Sequence, residues 1–91
     1  MEYMGELLLK KQCPMIVVAR ELRLEEIKTY ETGDIIGTMR WRGGVILVML
    51  HLSFGDMVYT ERIKVYAHNV EETEYSEFWK LVTEILKEYI H

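Results

Sequence analysis

Two hydrophobic periods organise the chain. Between residues 35 and 67 apolar side chains recur at every second position; between residues 75 and 89 they recur at helical spacing. Ile35–Arg42 alternates cleanly, with Ile35, Gly37, Met39 and Trp41 on one face and Ile36, Thr38, Arg40 and Arg42 on the other. Val45–Phe54 is nearly all apolar, as a central strand covered on both faces would be. Met57–Ala67 places Met57, Tyr59, Ile63, Val65 and Ala67 on one face and Val58, Thr60, Arg62, Lys64 and Tyr66 on the other. The stripe Tyr75, Phe78, Trp79, Val82, Ile85, Leu86, Tyr89 predicts an amphipathic helix, with Asn69 and Glu72 resembling a capping box and Thr73 a rival cap.

Turn residues set the register. Thr32-Gly33-Asp34 reads as a loop, and Gly43-Gly44 and Gly55-Asp56 as two-residue hairpin turns. These turns predict the pairs Trp41–Ile46, Met39–Val48 and Ile35–Leu52, then Leu52–Tyr59, Val48–Ile63 and Ile46–Val65. Both turns gather large apolar side chains on the same face. Glu61 is the misfit there and marks a bulge or an exposed edge. Leu50, Val48, Ile63, Trp41, Phe78, Val82 and Ile85 form the expected core.

The first third is less regular. Met4–Lys11 is either a strand or a short helix, and strand is favoured. Met15–Leu24 is read as one strand because β-branched residues lead into it, although residues 19–27 have high helix propensity. The expected fold is a single α+β domain over residues 1–91. It has an antiparallel sheet of four to five strands, a meander over residues 34–67, and one C-terminal helix across one face.

Composition narrows the function. The chain has 91 residues, too few for two independent cores. One cysteine, Cys13, excludes an internal disulfide and a four-cysteine zinc site. No apolar run is long enough to span a bilayer. The acidic first ten residues lack the basic start of a signal or transit peptide, so a cytoplasmic location is expected. One Gln and one Asn against many charges is a thermophile-like composition, although six methionines run against it. The net charge of −4 is uneven: residues 1–9 carry −2, residues 10–68 carry +2 and residues 69–91 carry −4. The overall balance argues against nonspecific nucleic-acid binding but leaves room for a local basic face.

Catalytic chemistry finds no motif. His51, His68 and His91 do not pair at metal-ligand spacing, so no metal and no cofactor is expected. Cys13 lacks an activating basic cluster beyond Lys10 and Lys11. Asp34 and Asp56 sit in turns, Ser53 and Ser76 lack a nucleophile context, and Gly43-Gly44 opens no helix. No catalytic residue is named and the chain is read as a non-enzyme.

The polar face of the meander is the informative feature. The expected register aligns Arg40, Leu47 and Lys64 in one row and Thr38, Met49 and Arg62 in the next. Arg42, Val45 and Tyr66 form a third, and His51 lies beside Thr60. Basic side chains framing apolar surface and a tyrosine ring are what a single strand of nucleic acid requires. Arg40, Arg42, Arg62, Lys64, Tyr66 and His51 are therefore the candidate nucleic-acid contacts. Val45, Leu47 and Met49 are the candidate partner interface. Taken alone, such residues are also the ordinary solvated side of a sheet.

Residues 34–90 run strand, strand, strand, then a helix with Phe78-Trp79 near its start. This layout resembles the positive cofactor 4 coactivators and their Whirly-like relatives. The resemblance implies a dimer that binds single-stranded DNA on its sheet, with Arg40, Arg62 and Lys64 as contacts. Two departures stand out: Thr60-Glu61-Arg62-Ile63-Lys64 lacks the family's glycine, and the chain is acidic where the family is usually basic. The expected function is a non-enzymatic single-stranded nucleic-acid-binding module, in transcription or replication, acting as a homodimer without membrane association. The alternative is a protein-interaction subunit of a larger complex, virus- or defence-related.

Overall fold

A computed structural model describes residues 1–53 and 59–90. In chain order the elements are β1 (Glu2–Pro14), α1 (Met15–Glu21), β2 (Glu25–Thr29), β3 (Ile35–Trp41), β4 (Gly44–Leu52) and β5 (Tyr59–His68). A 3-10 turn (Glu72–Glu74) then leads into α2 (Tyr75–Ile85) and α3 (Lys87–Ile90). The strands form one antiparallel sheet in the order β1-β5-β4-β3-β2. β3, β4 and β5 are the expected meander. The first strand joins its end beside β5, and α1 carries the chain from that edge to the opposite one.

The expected strand over Met15–Leu24 is instead α1 followed by a turn. Ile16, Val17 and Val18 favour a strand locally. Met15, Val18, Ala19 and Leu22 nevertheless fall at helical spacing, and all four are buried. Tertiary burial outweighs the propensity of the β-branched run. The helix ends in a Schellman arrangement. Leu24 N–H donates to the Ala19 carbonyl and Arg23 N–H to the Arg20 carbonyl, both at 3.0 Å, with Arg23 at φ 54°.

Core formation uses one face of the sheet. Ile46, Val48 and Leu50 of β4 and Ile63, Val65 and Ala67 of β5 are buried with Val18 of α1, Leu22 just after it, Phe78 and Val82 of α2, and Leu86. The C-terminal stripe is the expected one, but its innermost residues are Phe78, Val82 and Leu86, while Ile85 and Trp41 are only partly buried. Trp41 meets the edge of Phe78 at 5.5 Å and 89° between rings. Trp79 Nε1 donates to the Met4 carbonyl at 3.2 Å, tying α2 to the edge strand. No capping box forms at Asn69, which has φ 58°, a left-handed conformation asparagine tolerates; Thr73 lies inside the 3-10 turn and does not cap it either.

Register differs from expectation by an even step. The first hairpin turns at Arg42-Gly43, not Gly43-Gly44, so Trp41 pairs with Gly44, Met39 with Ile46 and Ile35 with Leu50. Both turn residues have positive φ, 46° and 87°, as in a type I′ turn. On the other side of β4, Val48 pairs with Val65, Leu50 with Ile63 and Leu47 with Tyr66. A slip of two keeps side chains on their expected faces from Arg62 onward; beyond the bulge Leu52 pairs with Thr60 instead of Tyr59, so Tyr59 and Thr60 exchange faces and Thr60 is buried. Glu61 is the extra residue of a β-bulge, because His51 pairs with Arg62 and Leu52 with Thr60. The expected Gly55-Asp56 turn lies outside the described residues.

Gly44 belongs to the strand because nothing larger fits there. A Cβ at Gly44 would collide with the carbonyl oxygens of Asn69 and His68 and with Val70, whereas a Cβ at Gly43 would meet nothing within 4 Å. Gly44→Ala is expected to lower stability by about 1–3 kcal/mol, and Gly43→Ala by about 1 kcal/mol through its positive φ. Urea midpoints of the two variants check this; the reverse order would move the turn back to Gly43-Gly44.

Candidate nucleic-acid interface

Among the described residues no helix covers the reverse face of the sheet, since the buried cluster that includes the helices draws on the other side. β4 was expected to be covered on both faces; here Val45, Leu47, Met49 and His51 are only half-buried. Their alternation with Ile46, Val48 and Leu50 is what turns them away from the core.

Strand pairing arranges this face in four rows. Arg40 lies beside Val45 and His68. Thr38 lies beside Leu47, then Tyr66, then Tyr3 of the edge strand. Ile36 lies beside Met49, then Lys64, then Glu6. His51 lies beside Arg62, then Leu8. On the far edge β2 adds Glu25 beside Thr38 and Lys28 beside Ile36. The rows therefore differ from those expected: Lys64 faces Met49 rather than Leu47, and His51 faces Arg62 rather than Thr60. Arg40, Lys64, Tyr66, His51 and Arg62 nonetheless share one face with Val45, Leu47 and Met49.

Arg42 departs from this group. It sits in the hairpin turn, so the row Arg42–Val45–Tyr66 does not form. Its guanidinium lies 5.2 Å from the Trp41 ring centroid and hydrogen-bonds Glu74, at 3.1 Å, and Glu77. These two carboxylates at the start of the C-terminal helix hold its charge and raise its pKa. Arg42 thus braces the turn against α2.

The face is less uniformly basic than the meander alone implies. Edge pairing brings in Glu6, whose carboxylate lies 3.6 Å from Arg62 Nε, and Glu25. Among the described residues Arg40, Lys64 and Lys28 form no ion pair. The edge strand also adds ring and apolar area: Tyr3 meets Tyr66 at 5.5 Å between centroids, and Tyr3 and Leu8 are 54% and 59% exposed. Tyr3, Leu8 and Glu6 were not picked out from the sequence, because their place depends on which edge the first strand joins. For Glu6 and Leu8 the two-residue alternation with Leu7 and Leu9 is a signal in the sequence; Tyr3 has the parity of Leu7 and reaches this face only through the register shift between Tyr3 and Gly5.

At the end of β4, Asp34 joins the picture. Its Oδ1 accepts the Leu52 N–H at 2.8 Å, and its Oδ2 lies 3.5 Å from His51 Nδ1. The Asp34 carboxylate thus ties the loop before β3 to the end of β4 and stands beside the His51 ring. Ser53 is buried at the base of the hairpin, its N–H donating to the Tyr59 carbonyl at 2.8 Å.

Elsewhere, chemistry stays sparse. Cys13 is buried, and burial with the nearby Glu21 charge pushes its thiol pKa up, away from a reactive thiolate. Among the described residues no group of three or more His, Cys, Asp or Glu side chains could hold a metal ion, and no helix is long and apolar enough to cross a membrane. Compared with protein-family models, with curated proteins and with solved structures, the chain matches none.

Proposed function

We propose that the chain is a non-enzymatic binding module that holds single-stranded nucleic acid on the reverse face of its sheet. The observation that carries this reading is a sheet face, uncovered by any helix among the described residues, that places Arg40, Lys64 and Lys28 around Leu47, Met49 and the Tyr3–Tyr66 ring pair. Cations neutralise phosphates, and flat apolar and aromatic surface receives bases without groove readout. The same use follows from the resemblance to the positive cofactor 4 coactivators.

Fluorescence anisotropy with labelled oligonucleotides tests it. Affinity for a single strand should fall steeply between 50 and 200 mM salt, with a log–log slope of about −2 for roughly three phosphate contacts. No binding at 50 mM salt would discard the reading.

Exposed Tyr3 and Leu8 favour a second reading, in which the apolar strip meets a protein surface. A homodimer closing over this face would exclude the oligonucleotide. Sedimentation would then show a dimer whose population falls as oligonucleotide is added, or one that never binds it.

A further inference from the structure

The fourth row of the reverse face ends in a cleft of about 470 Å³, lined by Leu8, Leu9, His51, Leu52, Ser53, Glu61 and Arg62. Its size falls in the range of about 300–1,000 Å³ typical of small-ligand sites. Two polar atoms in its lining residues are buried without a hydrogen-bond partner among the described residues: His51 Nε2 and Ser53 Oγ. Ser53 as a whole is only 4% exposed. Buried polar atoms are nearly always paired, so two unpaired ones belonging to residues that line one cleft point to something that pairs them.

The chemistry of the missing partner follows from the groups around them. Asp34 Oδ2 faces His51 Nδ1 at 3.5 Å. A carboxylate cannot donate, so in the neutral ring it favours the proton on Nδ1, which leaves Nε2 as an acceptor. The Ser53 hydroxyl can donate or accept. The ligand must then present an N–H or O–H to His51 and a second polar atom to Ser53. Leu8, Leu9 and Leu52 supply apolar walls for the rest of it.

Charge does not favour an anion. Glu61 and Arg62 line the cleft with opposite charges, Glu6 lies 3.6 Å from Arg62 Nε, and Asp34 lies 3.5 Å from the imidazole. A neutral, flat group with donor and acceptor atoms on one edge fits better than a phosphate. We infer that this cleft receives a nucleobase edge, with His51 Nε2 accepting from a ring or exocyclic N–H and Ser53 Oγ bonding a neighbouring polar atom. The inference rests on the nucleic-acid reading of the sheet face, whose rows lead directly to the cleft. Bound there, one base of the strand would be read by hydrogen bonds while its neighbours lie on Leu47, Met49 and Tyr66.

Titration of the ¹⁵N-labelled full chain with adenosine, with cytidine and with inorganic phosphate, followed at the His51 imidazole nitrogens, separates the possibilities. The expected result is a saturable Nε2 shift with at least one nucleoside and none with phosphate. Ser53→Ala should weaken that nucleoside binding about tenfold while its urea midpoint stays close to that of the unaltered chain. Asp34→Asn should also weaken it, by releasing the tautomer. A shift with phosphate alone, or with no probe, overturns the inference. So does Ser53→Ala without effect. The oligonucleotide assay is independent of this one. Salt-dependent strand binding that persists unchanged in Ser53→Ala would leave the sheet-face reading standing and remove the base pocket. A nucleoside response without strand binding would do the opposite.

Discussion

Phe78→Ala should cost about 3–5 kcal/mol, the range for removing a fully buried aromatic ring. Phe78 is completely buried, and its ring touches Trp41 at 5.5 Å and Trp79 at 5.8 Å, both edge-on. It is the point where α2, the meander and Trp79, itself bonded to the edge strand, converge. A domain of this size carries about 5–14 kcal/mol of stability in all, so one truncation removes a large share. Urea unfolding read by tryptophan fluorescence should show a lower midpoint with an unchanged slope. Leu81 on the outer side of the same helix is 40% exposed, and Leu81→Ala should stay within about 0.5 kcal/mol of the unaltered chain. Equal losses from the two would mean that α2 does not lie on the sheet as described.

That contrast within one helix was legible from spacing alone, and the reason is local. The stripe Tyr75, Phe78, Trp79, Val82, Leu86 needs no knowledge of the rest of the chain to define an inward face. The meander is legible in the same way up to its bulge: alternation assigns faces, and a register slip of two cannot change them, whereas the extra residue Glu61 swaps the faces of Tyr59 and Thr60. What failed was the turn position. Gly43-Gly44 looks like the stronger turn, yet the carbonyl oxygens of His68 and Asn69 require the second glycine in the strand. Those groups are more than twenty residues away in sequence.

The first helix was missed for a different reason. Ile16-Val17-Val18 carries a strand preference that is locally real, and only the burial of Met15, Val18, Ala19 and Leu22 reverses it. The candidate site was legible to the extent that it lies on β3, β4 and β5. Its remainder comes from pairing β1 with β5, a contact between distant segments, from the Pro14–Tyr59 pair to the Glu2–Ala67 pair, that no window of sequence contains. Glu6 and Tyr3 enter through that pairing, one to neutralise Arg62 and the other to stack beside Tyr66.

Arg40→Glu combined with Lys64→Glu should lower oligonucleotide affinity at 50 mM salt at least tenfold, with the salt slope flattened by about 1.4 as two phosphate contacts are lost. Arg40 is exposed, Lys64 is half-buried at the surface of the sheet, and neither is in an ion pair among the described residues. The melting temperature should therefore change little. Arg42→Ala should alter binding no more than about twofold, because Glu74 and Glu77 already hold that guanidinium against the helix. Glu6→Gln should act in the other direction. It frees Arg62 from its carboxylate neighbour, and affinity should rise with the salt slope steepened by about 0.7, the increment of one further phosphate contact. Lys80→Glu, on the exposed side of α2, is the control for net charge. If it weakens binding as much per charge as the sheet variants do, attraction is diffuse and the face is no site. If the double reversal leaves binding intact, the strand lies elsewhere on the molecule. A loss confined to Arg40 and Lys64, with a gain at Glu6, is the pattern that only a strand lying across the reverse face produces.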